Sequence, residues 1–177
     1  MEKLLTTIKE QKSALFLDRD GVINIDYGYV FQKDKFHFID GMFSFVKKFY
    51  DKGFMIFVIT NQSGIARGYY GESEFSEISK YMIDEFQKNG IYIYKIYYCP
   101  CHQDFSKDCE CRKPKPNMLL QAKSEFNIDM ESSIFIGDNL TDIEAGEKAK
   151  VKYNYLFNIE EMNFDNILNN YLKKGKK

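Results

Sequence analysis

The chain has 177 residues, of which 44% are hydrophobic and 29% charged, enough for an ordinary buried core in one domain spanning 1–177. A formal net charge of −1 excludes a strong bulk field for nucleic acid or an anionic membrane surface. Charges interrupt the opening "MEKLLTTIKEQKSALFLDRDG", so it does not read as a signal peptide, and no stretch approaches the roughly 18 apolar residues of a membrane span.

In chain order, "ALFLD" (14–18) reads as a buried strand that ends at a polar residue. "FLDRDGVIN" then sets Asp18 and Asp20 two residues apart, and if strand geometry persisted both carboxylates would point the same way. Such a pair calls for a cation, and oxygen donors favour Mg²⁺. Gly21 permits the backbone to leave the sheet sharply. The piece 21–40 fits no simple period and reads as a flap over the strand ends.

Helix-like stretches follow near 41–52, 72–89, 116–127 and 141–149, and Gly53 and Gly90 stand where two of them should stop. Strands are expected at "FMIFVIT" (54–60), "IYIYKIYY" (91–98), "SIFIGD" (133–138) and "KYNYLF" (152–157), all rich in β-branched and aromatic residues. Strand and helix alternating in this way predict an α/β fold: three layers, α/β/α, around a Rossmann-like parallel sheet. Ligands in such folds sit at the carboxyl ends of the strands. Asp18, Thr60, Cys99 and Asp138 each end a predicted strand, so the polar chemistry converges on one edge.

"ITNQSGIARG" puts Thr60 and Asn61 after a strand, then a glycine-punctuated loop whose N–H groups suit a phosphate. "IGDNLTDIEAG" puts Asp138 after another, with Asp142 opening the next helix. All four cysteines fall in "CPCHQDFSKDCECRKPKP" as two C-x-C pairs with seven residues between them. No export signal is evident, so the cytoplasm is the expected compartment, and there clustered cysteines read as metal ligands before cross-links. Cys99, Cys101, Cys109 and Cys111 match a closed zinc site, with Cys₃His through His102, or free thiols, as alternatives. Zinc there would serve as scaffolding for Arg112 and Lys113 directly behind. The final "YLKKGKK" reads as a frayed, solvated end.

Together these motifs resemble the haloacid dehalogenase superfamily of phosphatases: D-x-D-G, a Thr after the second strand, a Lys, and G-D-x-x-x-D. More narrowly, "FLDRDGVINIDYGYV", "TNQSGIARG" and "CRKP" are similar to the heptose-1,7-bisphosphate 7-phosphatases and the related histidinol-phosphate phosphatases. The resemblance covers about residues 14–150. It implies a haloacid dehalogenase-like fold without a large cap domain and a Mg²⁺-dependent phosphatase acting as a monomer. The substrate it implies is a small sugar bisphosphate, with histidinol phosphate as the alternative and no nucleic-acid or membrane partner.

Carried over by motif, Asp18 would attack phosphorus and Asp20 would serve as acid and base. Thr60 and Lys113 would contact the transferring oxygens, and Asp18, Asp20 (through its main-chain carbonyl) and Asp138 would hold Mg²⁺. The sugar would meet Asp26, Tyr27, Gly28, Tyr29, Asn61, Gln62 and Ser63, and Arg112 the second phosphate. Two departures stand out. Cys101 replaces a family histidine, leaving His102 one residue late, and Asn139 occupies a position often basic in the heptose enzymes, where it would still bind substrate.

Overall fold

The structure is a computed structural model that describes residues 11–106 and 108–174. The charged opening stretch 1–10 and the last three residues of the basic tail lie outside them.

Five strands, β1 (Ala14–Leu17), β2 (Met55–Asn61), β3 (Ile93–Cys99), β4 (Ile134–Gly137) and β5 (Tyr153–Leu156), form one parallel sheet in the order β3-β2-β1-β4-β5. The inner strands β1 and β4 are buried along their whole length, as continuous apolar runs must be when both sheet faces are covered. At the edge, β3 alternates between buried and exposed residues.

Alternation within the strands divides the core in two. Leu15, Leu17, Ile56, Val58, Ile134 and Ile136 face one side, against α1 (Met42–Tyr50), α2 (Glu72–Lys88) and α5 (Phe164–Lys174). Phe16, Phe57, Ile59 and Phe135 face the other, against α3 (Asn117–Phe126) and α4 (Leu140–Lys148). The predicted three-layer architecture, its five strands and its first four helices are therefore present. Gly53 (φ 86°) and Gly90 (φ 69°) end the connections after α1 and α2 in the left-handed region open to glycine.

The tail differs from expectation. Tyr171 belongs to the last turns of α5 and packs edge-on to Phe49 at 5.3 Å, so the start of "YLKKGKK" is helix and no frayed end. Phe164 anchors the other end of that helix on Phe45 and Phe157, at 4.8 and 4.5 Å.

The segment 21–40 is closed by an antiparallel bridge between Asn24 and Phe38. The N–H of Ile25 donates to the His37 carbonyl and that of Ile39 to Ile23. Its two limbs pair only locally, which is why no strand period is visible in the sequence.

Candidate active site

A cavity of about 400 Å³ opens where the strands end. The backbone of Asp18 enters it directly, since its N–H donates to the Ile136 carbonyl and fixes the residue between β1 and β4. Strand geometry then stops. The N–H groups of Ile23 and Asn24 both donate to the Arg19 carbonyl, making a turn. Asp20 reaches the cavity through that turn and not by continuing β1.

Two glycines set how closely the carboxylates approach. A Cβ on Gly21 (φ 80°) would lie 2.0 Å from Asp138 Oδ2, and one on Gly137 would lie 2.2 Å from Asp142 Cβ. D-x-D-G thus needs glycine where its turn packs against Asp138 of the other motif, and G-D-x-x-x-D needs one where it packs against its own final acid, Asp142. Asp142 was read in the sequence only as a helix opener. It is buried at 1% exposure, caps α4 by accepting from the Asn139 N–H at 3.0 Å, and accepts from Lys113 Nζ at 2.7 Å. The final Asp of the G-D-x-x-x-D motif was the signal for it.

Lys113 is the cation among these acids, 3% exposed. Its ammonium group donates to Asp18 Oδ1 (2.9 Å), Asp142 Oδ1 (2.7 Å) and the Ile59 carbonyl (2.8 Å), which uses all three hydrogens. Asn61, at the end of β2, grips the Lys113 backbone from both sides: its Oδ1 accepts from the Lys113 N–H and its Nδ2 donates to the Lys113 carbonyl.

Burial pushes the Asp18 carboxyl up to about 7; Lys113 opposes the shift, and the nearby Asp142 and Asp138 charges reinforce it. Asp138, more open to solvent, is raised to about 6 by partial burial and then by Asp142. Burial disfavours the Lys113 charge, yet Asp18 and Asp142 outweigh it and hold the ammonium above its ordinary value. Asp18, Asp138 and Asp142 each offer an oxygen, all within 4.8 Å of one another. Hard oxygen donors that repel one another so strongly fit Mg²⁺.

The remaining predicted residues divide. Asp26, Gly28, Tyr29, Thr60, Asn61, Gln62, Ser63, Arg112 and Asn139 line the cavity. Tyr27 lines the neighbouring groove with Tyr69 and His37. The Asp20 carboxylate accepts from Arg19 Nη2 (2.7 Å), Asn24 Nδ2 (3.0 Å) and Gln62 Nε2 (3.0 Å). Sequence reasoning missed Arg19, buried at 1% exposure between the motif aspartates, because the variable position of D-x-D carries no signal.

In the cysteine loop, Cys99 pairs with Cys111 and Cys101 with Cys109. The other close Sγ–Sγ separations are 3.4, 3.7 and 3.6 Å, and all four sulfurs lie within 4.8 Å of one another. Reduced to thiolates in place of these two cross-links, four soft donors gathered round one point fit a tetrahedral zinc ion. His102 stands outside this group: its Nε2 faces Arg67 Nη2 at 2.6 Å and its Nδ1 accepts from the Asp104 N–H. Arg112 Nη1 donates to the Cys101 carbonyl, which ties the loop to the cavity.

The family described as polynucleotide kinase 3 phosphatase matches residues 12–167. Over 152 residues the chain is 53% identical to a D-glycero-alpha-D-manno-heptose-1,7-bisphosphate 7-phosphatase of Campylobacter jejuni, covering 86% of each chain. It is 46% identical over 145 residues to a D-glycero-beta-D-manno-heptose-1,7-bisphosphate 7-phosphatase of Pasteurella multocida, covering 80% of this chain and 79% of that one. Among solved structures, the D,D-heptose 1,7-bisphosphate phosphatase of B. bronchiseptica, complexed with magnesium and phosphate, aligns with a TM-score of 0.72 and 29% identity. That alignment covers 77% of this chain and 76% of the other. No helix among the described residues is long and apolar enough to cross a membrane.

Proposed function

The chain belongs to the polynucleotide kinase 3 phosphatase family of haloacid dehalogenase-like phosphatases, among the heptose-1,7-bisphosphate 7-phosphatases, and we propose that it hydrolyses the 7-phosphate of D-glycero-D-manno-heptose 1,7-bisphosphate. The observation that carries this reading is the buried Asp18–Lys113–Asp142 cluster beside Asp20 and Asp138, with Arg112 in the same cavity.

An Asp18 oxygen forms a bond to phosphorus as the bond from phosphorus to the sugar oxygen breaks. That oxygen keeps the electron pair and takes a proton from the Asp20 carboxyl. Water then attacks phosphorus and gives a proton to Asp20, and the aspartyl bond breaks to release phosphate and restore Asp18. Thr60 presents its hydroxyl to the transferring oxygens and the Lys113 charge lies beside them, where charge stabilisation and positioning dominate the barrier. Asp18, Asp138 and the Asp20 main-chain carbonyl would hold Mg²⁺, with Asp142 alongside. When bound, that ion neutralises phosphate charge and orients the group for in-line transfer.

Arg112, held by the Cys101 carbonyl, is suited to anchor the second phosphate through its planar guanidinium. The four cysteines would hold a structural zinc that sets the direction of this loop.

Phosphate release with Mg²⁺ from both anomers of heptose 1,7-bisphosphate and from histidinol phosphate tests the reading, with Asp18→Asn as control. The expected result is strong preference for a heptose bisphosphate, abolished by the substitution. Preference for histidinol phosphate, or turnover that survives Asp18→Asn, would overturn it.

A further inference from the structure

Gln62 is 2% exposed and its amide is committed at both ends. Its Nε2 donates to Asp20 Oδ2 at 3.0 Å and to Thr60 Oγ1 at 2.8 Å, and its Oε1 accepts from the hydroxyl of Tyr70 at 2.5 Å. An amide can be turned end for end with almost no change in shape, so only its partners choose the orientation. Flipped, the carbonyl of Gln62 would face the Asp20 carboxylate, acceptor against acceptor. Tyr70 works against that flip by giving the carbonyl a donor on the opposite side.

Tyr70 is built to do this. It is 7% exposed, and its ring stacks on Phe31 with centroids 5.0 Å apart. A Cβ on Gly64 would lie 2.2 Å from that ring, so the glycine in "NQSGIARG" makes room for it. Burial pushes the Tyr70 hydroxyl up to about 12, which keeps its proton in place around neutral pH. The other donors to Asp20, Arg19 and Asn24, come from the aspartate's own turn. Gln62 instead reaches across from the end of β2 and couples Asp20 to Thr60.

We propose that Tyr70 is a positioning residue for proton transfer by Asp20: it holds Gln62 in one orientation, and Gln62 holds the Asp20 carboxyl where the leaving sugar oxygen receives its proton. Gln62 also lines the cavity, so this role stands beside the expected contact with the sugar. The inference rests on the phosphatase reading above.

Leaving groups separate this role from a structural one. A sugar alkoxide needs a proton as it departs, whereas p-nitrophenolate does not, and general acid catalysis contributes about 10²–10⁴-fold when it is needed. Tyr70→Phe should lower kcat/KM for heptose bisphosphate about tenfold relative to kcat/KM for p-nitrophenyl phosphate, with the sugar KM changed less than about twofold. Gln62→Leu should lower the same ratio at least as far, and the double variant should lose no more than Gln62→Leu alone. If Tyr70→Phe does not fold, the ratio for Gln62→Leu decides. Equal losses on both substrates, or fully additive losses, would overturn the inference. Activity on both substrates that survives Asp18→Asn would instead sink the phosphatase reading beneath it.

Discussion

Lys113 has no ammonium hydrogen to spare, because Asp18, Asp142 and the Ile59 carbonyl take all three. Its charge holds two buried carboxylates close together, and those carboxylates in turn keep it charged. Removing one partner from such a cluster costs about 3–5 kcal/mol, because the others are left buried and unpaired. Lys113→Met should therefore destabilise the metal-free protein by about that much, measured by urea denaturation. It should also cost several kcal/mol in transition-state stabilisation, by analogy with about 3–4 kcal/mol for one oxyanion donor. A variant with native stability and activity would remove Lys113 from both roles.

At the scale of elements, the loop from Cys99 to Pro116 must deliver two cations to the cavity without a helix or strand to stiffen it. Three contacts fix it: the sulfur cluster, the bond from Arg112 to the Cys101 carbonyl, and the Asn61 clamp on the Lys113 backbone. Asn61 and Cys99 are register partners at the ends of β2 and β3, so the clamp and the first thiol leave the sheet side by side. One zinc per chain is expected from elemental analysis of protein purified reduced and without chelators. Cys99→Ser should release it and raise the KM for a heptose bisphosphate at least tenfold, by freeing Arg112. Protein that carries no zinc but is fully active would show that the thiols hold the loop by other means.

The whole molecule stores electrostatic repulsion at one sheet edge. In the metal-free protein Asp18 sits near 7 and Asp138 near 6, both above their ordinary 3.8. The folded state thus binds more protons than the unfolded state between these limits, so this edge contributes less stability as pH rises from about 4 to 7. Mg²⁺ acts in the opposite sense, because it requires the carboxylates ionised and must displace protons at lower pH. Its affinity should rise from pH 5.5 toward 7, by up to about tenfold per unit for each proton displaced, and level off above 7. The gain in Tm on adding Mg²⁺ should rise in parallel. Calorimetric titrations showing the same affinity at pH 5.5 and 8 would contradict this account.

By itself the sequence determined the alternating strands and helices, because apolar runs and amphipathic periods follow from local burial. It also determined the acids, Thr60 and cysteines at strand ends, because chemistry in a parallel sheet gathers there. The helix α5 was legible in principle, from Phe164, Ile167 and Tyr171 at helical spacing, but its role depends on Phe45 and Phe49 far away in the chain. Only the tertiary structure decided the partners. It made Asp142, beyond opening a helix, a partner of Lys113, gave Asn61 the Lys113 backbone to hold, and turned the Gln62 amide toward Asp20. Residue type says which hydrogen bonds a side chain can make, but which it does make depends on groups brought close by the fold from dozens of residues away.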